Sequence, residues 1–150
     1  MRRANLDDPS DAGAFVRLLG AYMRDPKGDM VEQSSIDPGV VDKLRAVPHA
    51  AVHFAELGGE VVGMTVCFTG FSTFRGAALV NIHDIIVLDT FRRRGVGQAL
   101  MRAVEEYARA LGGCKITLEV REDNGAAMGL YRRSGFGDEA VPMRFWVKYL

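Results

Sequence analysis

One junction constrains this chain more than any other stretch. The apolar run Leu79 to Leu88 passes through Asp89-Thr90-Phe91-Arg92-Arg93-Arg94-Gly95-Val96-Gly97-Gln98 into the strongest helical pattern of the sequence. Val96, Leu100, Ala103, Val104, Tyr107 and Leu111 recur at helical spacing and predict one apolar stripe on a helix over Gly95 to Leu111. Arg102 with Glu106 and Glu105 with Arg109 supply i,i+4 pairs on the other face, and Gly112-Gly113 ends the helix. A strand that turns straight into a helix sets free N–H groups and the positive end of the helix dipole at the strand's end. Gly95 and Gly97 remove Cβ atoms from that turn and the arginines add donors, so the junction suits a phosphate group.

The rest of the second half completes a crossover. Cys114 to Arg121 alternates, with Ile116, Leu118 and Val120 on one face and Lys115, Thr117, Glu119 and Arg121 on the other, which predicts a strand. Asp123 or Asn124 is placed to cap a last helix carrying Ala127, Leu130 and Tyr131 on one face and ended by Gly135. A final strand is expected at about Met143 to Lys148. The order strand, helix, strand, helix predicts a parallel connection.

The first half reads differently. Ser10 and Asp11 are candidate caps for a helix from about Asp11 to Met23, with Phe15, Leu18, Leu19 and Tyr22 on one face. Arg24 to Gly39, broken by Pro26, Gly28 and Pro38, is expected to be a long loop, followed by a short helix from Val40 to Val47. Ala51 to Glu56, Val61 to Thr69 and Leu79 to Leu88 predict strands joined by hairpins, the first across Gly58-Gly59. The expected whole is a single α/β domain over residues 1–150 with a mixed, largely antiparallel sheet.

Composition excludes several function classes. Nineteen basic and nineteen acidic side chains leave no net charge to draw the chain to nucleic acid, and 48% apolar content with 25% charge fits a globular domain. No apolar run approaches the roughly 18 residues a membrane span needs, and no leader-like segment follows Met1-Arg2-Arg3, so a cytoplasmic location is expected. Cys67 and Cys114 lie in apolar surroundings without CxxC spacing and are expected to be buried and inert. His49, His53 and His83 are scattered, and no metal site is predicted.

Three phosphate-binding patterns compete at the junction. A P-loop needs G-x-x-x-x-G-K-[ST], which the chain lacks, and G-x-G-x-x-G needs a glycine where Leu100 stands. R-x-x-G-x-G is filled by Arg92, Gly95 and Gly97. With Leu118-Glu119-Val120-Arg121, Asp123-Asn124 and Leu130-Tyr131-Arg132-Arg133-Ser134-Gly135-Phe136 downstream, the chain resembles the GCN5-related N-acetyltransferase (GNAT) superfamily from about Asn81 to Phe136.

That resemblance implies acetyl-CoA as cofactor and a primary amine as acceptor. It implies that the strands Leu79–Leu88 and Cys114–Arg121 are parallel neighbours that splay apart, leaving a gap flanked by helices. Backbone groups of Ile85, Ile86 and Val87 would pair with pantetheine. The diphosphate would sit on the loop Arg92, Arg93, Arg94, Gly95, Val96, Gly97 and Gln98, with Asn124 reaching the cofactor arm. Glu119 matches the base of ribosomal-protein N-acetyltransferases, and Tyr131 matches the tyrosine that faces the sulfur. Read from the residues alone, Glu119 is a strand carboxylate paired with Lys115 or Arg121 and Tyr131 a core tyrosine, while a plain helix cap accounts equally well for Asn124. Asp84 is the second candidate base, and a route through an acylated Cys67 or Cys114 is disfavoured because a nucleophilic thiol needs an activating base and Cys67 has no neighbouring His or basic residue. A non-catalytic acyl-CoA sensor and a nucleotide-binding module are the competing functions, and a homodimer fits the resemblance. Acceptor binding is expected from the loops Arg24–Gly39, with Asp25, Asp29 and Glu32, and Gly70–Phe74.

Overall fold

The computed structural model describes residues 1–25, 35–137 and 146–148. Among them, one five-stranded sheet runs in chain order: β1 (Arg2–Arg3), β2 (Ala50–Leu57), β3 (Glu60–Ser72), β4 (Ala77–Val87) and β5 (Lys115–Leu118). Every neighbouring pair is antiparallel except β4 and β5, which are parallel across α3 (Val96–Ala110). Helices α1 (Pro9–Met23) and α2 (Val40–Arg45) cover one face, where Phe15 and Leu18 meet Phe54, Met64, Val66 and Ile86. Helix α3, followed by α4 (Gly125–Arg133), covers the other, where Met101, Val104 and Ala108 lie over Cys67, Val80 and Ile82. The expected α/β fold, with a mixed sheet and a parallel crossover, is the fold observed.

A bulge in β4 creates the functional geometry. Val66 of β3 pairs with Asp84, yet the next residue, Cys67, pairs with Ile82, so His83 is an extra residue in the ladder. Before it, even-numbered Val80 and Ile82 face α3; after it, even-numbered Ile86 faces α1. The β4–β5 ladder stops at the same place, with Ile82 opposite Leu118. Beyond His83, among the described residues, β4 continues to Val87 paired with β3 alone, and its other edge opens into a gap.

Several boundaries differ from those expected. β5 ends at Leu118 rather than Arg121, because the divergence of β4 removes its partner. β1 is too short to carry a periodic signal and was not anticipated. The expected final strand falls partly outside the described residues, and 146–148 adopt no strand. Leu111, read as part of the α3 stripe, is the C-cap residue just past the helix and is exposed. Cys114 is exposed rather than buried; it precedes β5, the last strand of the sheet among the described residues.

The start of α1 shows a further correction. Its cap is Asp8, whose side chain accepts the Ser10 N–H at 2.7 Å, with Pro9 in the first turn. Ser10 and Asp11 therefore lie inside the helix. Asp11, only 5% exposed, accepts two bonds from the Arg2 guanidinium at 2.6 Å each and one from the Asn5 N–H at 2.8 Å, tying β1 to α1. The Arg2 hydrogen bonds hold the Asp11 carboxyl below the usual carboxylate range. A lowered folded value stabilises the protein above the unfolded pKa of about 3.9, and that gain disappears as pH falls through the folded value. Asp11→Asn is expected to cost about 2 kcal/mol at pH 7 and to flatten the acid side of the stability curve. Urea unfolding at pH 7 and pH 3 checks this; identical wild-type and variant midpoints at pH 7 would reject the clamp.

Candidate active site

The gap between β4 and β5 is the mouth of a cavity of about 700 Å³. Ile85, Ile86 and Val87 line one wall, the α3 loop closes one end, and Ala127, Leu130 and Tyr131 of α4 form the opposite wall. The volume is that of a site for a drug-sized or cofactor-sized molecule.

The loop is built to leave donors free. After β4, a 3-10 turn over Asp89–Phe91 reverses the chain, and Arg92 Nε donates to the Val87 carbonyl at 3.0 Å. Arg93 and Gly95 then take left-handed conformations, with φ of +60° and +80°. Gly95 supplies the N-cap of α3 without a side-chain cap, and the first i→i−4 bond runs from the Ala99 N–H to the Gly95 carbonyl at 3.0 Å. The N–H groups of Val96, Gly97 and Gln98 thus have no acceptor inside the helix and sit at its positive end. Successive donors in such a turn make an anion cradle.

The two glycines serve different ends. At Gly95 a Cβ would meet nothing within 4 Å, and the constraint is its positive φ. At Gly97 a Cβ would stand 3.0 Å from Leu130 Cδ2, so this glycine lets α3 and α4 approach closely. Gly97→Val is expected to push α4 away and weaken coenzyme A binding about tenfold, the worth of roughly 1.4 kcal/mol. Adding Leu130→Ala should recover most of it in calorimetry; a double variant as weak as the single would refute the packing role.

The arginines also divide. Arg93 lines the cavity. Arg92 lines it too, and pairs with Asp25 beyond α1 and with Asp89 at 3.0 Å. Arg94 instead stacks over the Phe91 ring at 5.5 Å, and the Val96 side chain, 8% exposed, packs with Ala55, Val62 and Leu100. Of these two residues only the backbone is then left for the loop to offer a ligand.

Glu119 and Tyr131 reach the cavity from opposite faces of the sheet. Ile116 and Leu118 pack with the α3 cluster, so Thr117 and Glu119 project toward the α1 face. Glu119 is exposed at the rim, and both its carboxylate oxygens lie 3.4 Å from Asn81 Nδ2. Tyr131 packs on the α3 side, 7% exposed, its ring 6.1 Å from Phe136. Burial pushes its phenol up to about 12. Asn124 lines the cavity and caps α4, its Oδ1 accepting the Ala127 N–H at 3.2 Å. Burial likewise pushes the Cys67 thiol up to about 12, far from the thiolate a nucleophile needs.

The acetyltransferase (GNAT) family model matches residues 17–136. The chain belongs to that family. It is 32% identical over 111 residues to the N-alpha-acetyltransferase RimI of Mycobacterium tuberculosis, covering 73% of this chain and 66% of that protein. It is 33% identical over 94 residues to an uncharacterized N-acetyltransferase of Methanocaldococcus jannaschii, covering 62% of this chain and 41% of that one. The chain therefore spans less than two thirds of the length of either relative. An aminoglycoside acetyltransferase from an uncultured soil metagenomic sample superposes with a TM-score of 0.78 at 20% identity, covering 98% of this chain and 95% of that one.

In this GNAT fold, the cavity also takes in residues that the sequence pattern did not single out for it. Tyr22 at the end of α1 lines it, as does His83 of the bulge, whose ring lies 5.4 Å from that of Phe68; Asp25, expected on the acceptor loop, lines it too. Two adjacent polar residues, His83-Asp84, inside an otherwise apolar strand were the available signal. Asp84 pairs opposite Val66 and is not among the lining residues. Asp29 and Glu32 of the acceptor-loop expectation lie outside the described residues. Phe71 and Phe74 are exposed on the β3–β4 hairpin.

Proposed function

We propose that this chain transfers the acetyl group of acetyl-CoA directly to a primary amine. The observation that carries the reading is the cavity that joins the uncapped start of α3 to a splayed strand edge, with a buried tyrosine and an exposed carboxylate approaching from opposite faces. The unpaired edge of β4 and the free N–H groups fit an elongated molecule with amides at one end and a diphosphate at the other. Bound acetyl-CoA supplies the acetyl group as an activated thioester.

The chain's own residues do the rest. Ile85, Ile86 and Val87 offer the backbone of an unpaired strand to the pantetheine arm. The N–H groups of Arg93 to Gln98 hold the diphosphate, Arg93 adds charge, and Asn124 fixes the start of α4. Glu119, open to water on the α1 face, takes the proton of the incoming ammonium directly or through one water molecule. The Tyr131 hydroxyl donates a hydrogen bond to the departing sulfur. The α1 face is thus the acceptor's side. Both free thiols suit a reducing compartment, in keeping with a cytoplasmic enzyme. No helix among the described residues is long and apolar enough to cross a membrane.

The test follows free thiol from acetyl-CoA with a panel of spermidine, an aminoglycoside, free lysine and a peptide with a free α-amine. Thiol release matched by acetylated amine is expected for at least one member. Absence of coenzyme A binding in calorimetry, or binding without turnover across the panel, would overturn the reading.

A further inference from the structure

Asn81 sits where β4 and β5 still pair, opposite Thr117, two residues before the bulged His83 that opens the gap. Its neighbours Val80 and Ile82 are buried beneath α3, so its side chain projects to the α1 face with Thr117 and Glu119. The amide has two N–H groups and three oxygens around it: Thr117 Oγ1 at 3.2 Å and the two Glu119 oxygens at 3.4 Å each. Two N–H groups thus suffice for the threonine and for the carboxylate, whose oxygens are equidistant. The reverse orientation would turn the amide oxygen on a carboxylate and repel it.

Glu119 needs such a partner. It stands one residue past the end of β5, where the ladder no longer fixes the backbone, and its side chain is exposed. Among the described residues, Asn81 is the only one whose hydrogen bond reaches this carboxylate. Arg121, which shares the cavity, is held bidentate by Asp123 at 2.9 and 3.0 Å. The other titratable groups lining the cavity are His83 on β4, Tyr22 and Asp25 from α1 and the turn after it, Arg92 and Arg93 of the loop, and Tyr131 and Arg133 of α4.

We infer that Asn81 is the positioning residue of this active site: it orients the Glu119 carboxylate at the α1-side rim of the gap, toward the acceptor's ammonium. The inference rests on the proposed acetyl transfer and deepens it. Thr117 anchors the amide, so a paired part of the sheet orients a carboxylate that stands beyond the end of β5. A hydrogen bond donated to an ionised group favours that form, and a second carboxylate at the same place opposes it.

The test compares wild type, Asn81→Asp, Asn81→Ala and Glu119→Gln in thiol release with the best acceptor of the panel, alongside melting temperature and acetyl-CoA affinity. Asn81→Asp keeps the shape and replaces the donor by a charge, so it should be the worse of the two, with kcat/KM down about tenfold or more at neutral pH. Its acid limb should lie at higher pH than that of wild type, and acetyl-CoA affinity should stay within about twofold. Asn81→Ala should lose less. A role in strand packing alone predicts the opposite ranking, with the isosteric aspartate tolerated and no displacement of the pH profile. Wild-type rates and an unmoved acid limb in Asn81→Asp, with Glu119→Gln inactive, would overturn the inference and leave the proposed function standing. If Glu119→Gln matches wild type, or wild type turns over no acceptor, the parent reading fails and the inference with it.

Discussion

Tyr131→Phe should lower kcat about a hundredfold while acetyl-CoA affinity changes by less than twofold. The hydroxyl is the polar end of a side chain that otherwise packs with Phe136 and the α3 cluster, so its removal leaves the ring in place. In the proposed transfer its value lies where sulfur gains negative charge, and the ground state gains little from it. The raised phenol decides what the hydroxyl does. A thiolate resembling that of cysteine has a pKa near 8.5, so full proton transfer from a phenol at about 12 is uphill by roughly 5 kcal/mol. A hydrogen bond to the leaving sulfur, with the proton acquired later from water, avoids that climb. The same burial keeps the hydroxyl protonated through the working range. The wild-type to Tyr131→Phe ratio of kcat should therefore stay flat from pH 7 to pH 10. Equal kcat in the two proteins would remove Tyr131 from the reaction.

The helix α3 and the parallel crossover were legible because their signals are local. A stripe of apolar residues at helical spacing, a glycine stop and an alternating strand each lie within one segment. The gap is different in kind. It depends on a single inserted residue, His83, that reverses the facing of β4 and ends its pairing with β5, and the adjacent pair His83-Asp84 does not by itself distinguish a bulge from a solvated strand face. Asn81 was silent for the same reason, since its partner Glu119 is 38 residues away. Gly97 and Gly95 read alike as Cβ-free positions near a diphosphate, yet one accommodates Leu130 and the other a left-handed turn. At α1 the sequence offers several capping residues in a row, and what assigns Asp8 to the cap and Asp11 to Arg2 is the contact with β1.

Glu119→Gln should reduce kcat/KM at pH 7 by about a hundredfold, within the usual range for loss of a general base. The variant keeps an oxygen and adds an amide, so it still fills the rim, but it cannot accept a proton from an ammonium. The size of the defect should depend on the acceptor and on pH in a way that no packing defect would. A lysine side chain has a pKa of about 10.4 and an α-amine one near 7.7 to 8.0. At pH 7 the first is almost wholly protonated, whereas about a tenth of the second is already the free base. The base is therefore needed more for a lysine-like acceptor. As pH rises toward the amine's own value, solution supplies the nucleophile and the wild-type to Glu119→Gln ratio should shrink, reaching about tenfold or less near pH 9.5 for an α-amine. Measuring that ratio from pH 7 to pH 9.5 separates proton removal from mere contact. A ratio that stays constant while both proteins remain folded would mean that Glu119 holds the acceptor and another group takes its proton, with His83, exposed at the bulge on the same cavity, the next residue to replace.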